Sequence, residues 1–157
     1  MRRKDKEMTN VSEIIEILEH CKYCRLAMAD GDRPYVVPIN FGYRYEGKAL
    51  SVYFHGIGVG KKIEILKANP KACFEMDRDY GLIIEEEPCD YGYAFESVIG
   101  FGSVAFIEDP EEKARALDII MQHQTGESGF TFPEDALRGT TVYKIVTEDF
   151  TGKRKLI

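Results

Sequence analysis

The chain has 157 residues, 44% of them hydrophobic and 31% charged, which suits one globular domain with a single core and argues against disorder. No apolar run approaches the roughly 20 residues of a membrane helix, and the basic start Met1-Arg2-Arg3-Lys4-Asp5 lacks the apolar stretch of a signal peptide. The net charge of −6 disfavours nucleic acid, so the expectation is a cytoplasmic protein with neither nucleic-acid nor membrane partners. The basic clusters at residues 2–6 and 153–155 read as solvated ends.

The first predicted element is a helix over residues 11–20. Asn10 is a suitable N-cap with Glu13 at capping-box spacing, and Val11, Ile14, Ile15 and Leu18 form one apolar face. Strands follow over residues 25–30 and 33–43, separated by Gly31-Asp32, and Pro38 marks the second as an edge or bulged strand. Glu46-Gly47-Lys48 turns the chain into a strand over residues 49–55, with Leu50, Val52 and Phe54 on one face and Ser51, Tyr53 and His55 on the other. A glycine-rich loop leads into a short helix over residues 61–69, its apolar side formed by Val59, Ile63 and Leu66, which Pro70 ends.

Residues 71–77 read as a strand. Residues 79–93 are irregular, with the acidic run Glu85-Glu86-Glu87 in a loop or edge. A long strand spans residues 95–107, where Gly100 and Gly102 permit bending or close backbone approach. Asp109-Pro110-Glu111-Glu112 opens a helix carrying Ala114, Leu117, Ile120 and Met121, and residues 140–149 form the final strand. Mostly consecutive strands with interspersed helices predict a mostly β (α+β) fold, an antiparallel barrel with flanking helices, in one domain over residues 1–157.

The cysteines are Cys21, Cys24, Cys73 and Cys89. Cys21 and Cys24 have C-x-x-C spacing, yet they follow a predicted helix, whereas a redox pair opens one. No second pair completes a zinc site, so buried structural thiols are the reading and no metal is expected.

The segment His55-Gly56-Ile57-Gly58-Val59-Gly60-Lys61-Lys62 carries the chemistry. Alternate glycines allow backbone N–H groups to converge on an anion, and the following helix start favours negative charge. Lysines in a first helical turn are unfavourable by up to ~1 kcal/mol each, and a phosphate beside Lys61 and Lys62 would offset that. The spacing matches neither the nucleotide-triphosphate loop nor the dinucleotide fingerprint, and a flexible turn with two exposed lysines remains the alternative. His55, ending a strand beside this loop, suits proton donation or substrate orientation near a cofactor. A strand-end histidine satisfied by backbone is the other reading. His20 and His123 receive no role.

Several segments then line up in order: Met1-Arg2-Arg3-Lys4-Asp5, Pro38-Ile39-Asn40-Phe41-Gly42-Tyr43, Tyr53-Phe54-His55-Gly56 and Gly60-Lys61-Lys62-Ile63. Asn69-Pro70, Cys73-Phe74-Glu75 and Ser97-Val98-Ile99-Gly100-Phe101-Gly102 continue the series. The set resembles the flavin-binding split-barrel proteins related to pyridoxamine 5'-phosphate oxidase, most closely the nitroimidazole-resistance family. The resemblance implies a six-stranded split barrel that dimerises with flavin mononucleotide (FMN) at the subunit interface, FAD being possible. It implies that Lys61 and Lys62, beside Gly60, clamp the phosphate, that Pro38, Ile39, Asn40, Phe41 and Tyr53 line the ring, and that Ser97 approaches the cofactor. His55 matches the family's functional histidine, where reduction of a nitro group is the suggested activity. Gly152-Lys153-Arg154-Lys155 offers charge without the substrate-clamping pattern of pyridoxamine phosphate oxidase itself. The implied function is a flavin-dependent oxidoreductase acting on a small molecule; the alternative is a non-catalytic flavin or haem carrier or sensor.

Overall fold

The computed structural model describes residues 4–156, so most of the basic N-terminal segment named above lies outside the described residues. After a 3-10 turn at Lys4–Lys6 come β1 (Glu7–Met8), α1 (Val11–His20), β2 (Tyr23–Asp30), β3 (Arg33–Asn40), β4 (Gly42–Glu46) and β5 (Ala49–Ile57). Then follow α2 (Lys61–Ala68), β6 (Lys71–Ile83), a 3-10 turn at Pro88–Asp90, β7 (Gly92–Ile107), α3 (Pro110–Thr125), α4 (Glu134–Gly139), β8 (Thr140–Thr147) and β9 (Phe150–Lys155). Every strand pairing is antiparallel, in the order β3-β2-β6-β7-β8-β5-β4, with β9 between β1 and β7.

The sheet splits along β7. Its residues 95–100 pair with β9 and 104–107 pair with β8, while β6 runs beside it from Ser103 to Gly92. The path ends at β3 and β4 without closing, which is a split barrel. Its six strands of eight residues or more are β2, β3, β5, β6, β7 and β8. The interior is built by alternation: Leu26 from β2, Leu50, Val52 and Phe54 from β5, and Phe74 and Met76 from β6 are fully buried. Each such side chain contributes about 1.5–3 kcal/mol of transfer free energy. Gly100 leaves room for the Phe74 ring and Gly102 for Ile145, the close approach that the glycines predicted. A second cluster, including Leu117, Ile120, Leu137 and Val142, packs α3 and α4 on the outside of the β5–β8 sheet.

Asn10 caps α1 by accepting from the Ser12 N–H at 3.0 Å, and Asp109 caps α3 by accepting from Glu112 at 2.8 Å. Several expectations are corrected. The buried face of α1 is Ile14, Ile17 and Leu18, which lie at i, i+3 and i+4, with Ile15 packed at its margin and Val11 exposed. Val59 is 77% exposed, and Ile63, Ile65 and Leu66 anchor α2 instead. On α3 the buried residues are Ala116, Leu117, Ile119 and Ile120, so Ala114 and Met121 lie on its flank. The predicted strand over residues 33–43 breaks at Phe41, whose side chain turns into the core. The strand from Lys71 continues past a bulge at Asp79–Gly81 to Ile83, and the one ending the prediction stops at Thr147 before a further strand, β9. Residues 153–155 therefore belong to a paired strand. Arg154 is tied to Glu96 and Glu13 there.

Candidate functional site

Strand β5 alternates as predicted, so Phe54 points into the barrel while Tyr53 and His55 point out, both half-buried, Tyr53 against the α3–α4 cluster. In register they oppose Lys144 and Val142 of β8, and Lys144 is paired with Glu112 of α3 at 2.6 Å. Tyr53 lines a concavity of about 240 Å³ with Arg44, Glu112 and Arg115. His55 ends this row. Its Nδ1 is buried and has no hydrogen-bond partner among the described residues, so none of them gives this atom the backbone satisfaction considered from sequence. Burial, and then the nearby Lys62 cation, hold the imidazole below its ordinary pKa.

The glycine loop turns the chain from β5 into α2. Gly60 sits at the N-cap with φ 111°, a conformation that a side chain would strain, and its carbonyl accepts from Ile63 at 2.9 Å and Glu64 at 3.1 Å. No side chain caps this end. The N–H groups of Lys61 and Lys62 have no intrahelical acceptor and carry the positive end of the helix dipole.

The two lysines part company. Lys61 reaches across to the β2–β3 hairpin, where Nζ lies 2.9 Å from Asp30 Oδ2 and 5.2 Å from the centre of the Tyr35 ring. Lys62 folds back over the end of β5. Its Nζ lies 5.9 Å from the centre of the Tyr143 ring and would be 3.7 Å from a Cβ placed on Gly56. No described residue forms an ion pair with Lys62, and burial alone lowers its pKa. The Tyr143 hydroxyl is likewise buried without a hydrogen-bond partner among the described residues. A half-buried cation and an unfilled helix start together leave an electrostatic need that an anion would meet. The residues present therefore fit a phosphate group.

The remaining predicted residues occupy the other sheet. Ile39 and Phe41 have buried side chains, and the Phe41 carbonyl accepts from Gln124 Nε2 at 2.8 Å. Pro38 and Asn40 face outward on the edge strand β3, as Pro38 predicted, and Ser97 faces outward on β7 between Asp77 and Lys153. This outer face carries the in-register row Val36, Ala27, Cys73 and Phe101, along which lies a shallow apolar trough of about 280 Å³. Within one chain the structure thus gathers Tyr53, His55, Gly60, Lys61 and Lys62 along β5 and α2, and leaves Pro38, Asn40 and Ser97 on a different face, with the Ile39 and Phe41 side chains in the core. Asp30, Tyr35 and Tyr143 were missed by sequence reasoning because their relation to the lysines is made only by the fold.

Cys21 and Cys24 are buried, as read. Cys21 caps the end of α1. Burial, with Asp77 adding to it, pushes the Cys21 thiol up to about 11, and burial pushes Cys24 to about 12, so both are unreactive at neutral pH. His123 donates from Nε2 to the Cys21 carbonyl at 2.7 Å and packs against Phe41, a structural place.

The sequence pattern of the family described as pyridoxamine 5'-phosphate oxidase matches residues 10–154. Among solved structures, a candidate 5-nitroimidazole antibiotic resistance protein from Bacteroides thetaiotaomicron is 36% identical, over 94% of this chain and 85% of that one, with a TM-score of 0.78. The flavocytochrome Anf3 from Azotobacter vinelandii superposes with a TM-score of 0.84 at 20% identity, over 100% of this chain and 72% of that one. The FAD- and haem-binding protein from Mycobacterium smegmatis gives 0.83 at 17% identity, over 96% and 73%; these two likenesses speak to the fold alone. No curated protein matches the sequence.

Proposed function

The chain belongs to the pyridoxamine 5'-phosphate oxidase family, and from that premise we propose that it is a flavoprotein that binds FMN and reduces small aromatic substrates, nitro compounds among them. The observation that carries the proposal is Lys62, a half-buried cation with no ion-pair partner among the described residues, beside the unfilled start of α2. Lys62 and the N–H groups of residues 61 and 62 would hold the phosphate, with Lys61 contributing once released from Asp30. The backbone of residues 38–41, with Tyr53 and Ser97, would line the ring.

When bound, the flavin would supply the hydride chemistry. The protein orients substrate against it and manages the proton. His55 suits the second task because its depressed pKa keeps it neutral near pH 7, with Nδ1 unoccupied and able to exchange a proton with a reacting group. The separation of the two groups of residues within one chain supports a homodimer in which each copy completes the other's site. The outward apolar row through Phe101, itself 53% exposed, is the surface we assign to that contact. The free cysteines suit a reducing compartment, the cytoplasm.

The test is visible absorption of purified protein, before and after loading with FMN and desalting, with Lys62→Ala alongside. Retained flavin in the native protein, lost in the variant, supports the reading. Retention by neither protein, or by both equally, overturns it. His55→Ala should then keep the flavin but lose turnover of a nitroimidazole with a nicotinamide donor.

A further inference from the structure

Lys61 and Lys62 are adjacent in sequence and share the start of one helix, yet their electrostatic situations are opposite. No described residue forms an ion pair with Lys62, whereas Lys61 holds the Asp30 carboxylate at 2.9 Å and lies against the Tyr35 ring at 5.2 Å. Asp30 ends β2, at the Gly31-Asp32 turn of a hairpin brought to α2 only by the fold. The placement has a physical logic. A lysine at the first position of a helix meets the positive end of the dipole, Gly60 offers no capping side chain, and the Asp30 carboxylate supplies the missing negative charge from outside. Both partners are partly exposed, with side chains 49% and 40% accessible, so the pair is weak and can be exchanged.

We propose that Asp30 is a built-in competitor for the phosphate site: its carboxylate occupies Lys61 when no ligand is bound and must be displaced before both lysines can grip a phosphate. The inference rests on the flavin reading above. It makes Lys62 the first lysine to engage an incoming phosphate and Lys61 the second. Asp30 is then a determinant of affinity that never contacts the rest of the ligand. After exchange, its charge still faces the phosphate across Lys61, so its presence costs affinity in the bound state as well. The effect is confined to ligands that carry the phosphate, because nothing about the pair bears on a flavin without one.

The experiment is a fluorescence titration of FMN and of riboflavin, which lacks the phosphate, into the native protein, Asp30→Asn and Asp30→Ser. Removal of the competing charge should tighten FMN roughly fivefold in both variants and leave riboflavin unchanged. Unchanged or weaker FMN binding in the variants overturns the competitor role and makes Asp30 a positioning residue for Lys61 or a bystander. An equal change for both flavins overturns it too, since the substitution then acts through general structure. If the native protein binds neither flavin, the flavoprotein reading itself falls, a result distinguishable from the others because it appears before any variant is made.

Discussion

At the scale of single residues, His55 shows how position and surroundings diverge. Its outward place on an alternating strand was visible in the sequence, although β5 runs on to Ile57, and the glycine-lysine segment beside it pointed to the helix start that the fold provides. The loss of its Nδ1 partner and the proximity of Lys62 were not visible, since both depend on how the loop folds back over Gly56. Desolvation disfavours the charged imidazole, and Lys62 disfavours it further. In the native protein His55 should therefore titrate below 6.5 in an NMR pH series, and Lys62→Ala should move it upward. No movement would show that Lys62 is too distant to matter. The sign for stability follows: the unfolded chain binds this proton more readily than the native one, so the His55 contribution erodes as pH falls through 6.5. Asp30 and Tyr143 escaped notice for a related reason. An exposed aspartate in a hairpin turn and a tyrosine in a strand are commonplace until a distant helix brings a lysine to each.

Elements with local signals were legible, and those built by distant partners were not. Asn10 and Asp109 announce α1 and α3 because capping is written in neighbouring residues. Helix α4 has six residues and no side-chain cap, and β9, with the sequence Phe-Thr-Gly-Lys-Arg-Lys, lacks the alternation that marks a strand. What fastens β9 is a buried carboxylate. Glu96 of β7, 4% exposed, accepts from Arg154 Nε at 2.5 Å and from the Tyr80 hydroxyl at 2.6 Å. Arg154 continues to Glu13 of α1 at 2.7 Å. Burial alone would raise the Glu96 pKa, but Tyr80 and Arg154 outweigh it and hold the carboxyl below its ordinary value. Glu96→Gln should cost about 2 kcal/mol in urea unfolding. The stabilisation is fully present above pH 4.5 and is lost as pH falls through the depressed native pKa, so the gap between native and variant should close in acid. A gap independent of pH would mean the network acts through packing instead.

Over the whole molecule, the antiparallel split barrel was readable from the run of consecutive strands, whereas its outward surface was not, because exposure is decided by what each sheet turns away from the core. Phe101 and Ile99 look like core residues in the sequence and stand on the outside of β7, 53% and 40% exposed. If that face joins two copies, Phe101→Asp should convert the dimer to a folded monomer in light scattering and lose FMN with it. A variant that remains dimeric would place the contact elsewhere, and a monomeric native protein would overturn the homodimer itself. No described helix is long and apolar enough to cross a membrane. The branching of β7 bears on how the chain is made. This strand of 16 residues needs β6 before it and both β8 and β9 after it, and β1 pairs with β9. During synthesis, one side of β7 must wait with its ladder unmet while α3, α4 and two further strands leave the ribosome. The nascent barrel therefore stays open along a seam until β9 emerges, and the segment from Gly92 onward is where a chaperone has most reason to bind.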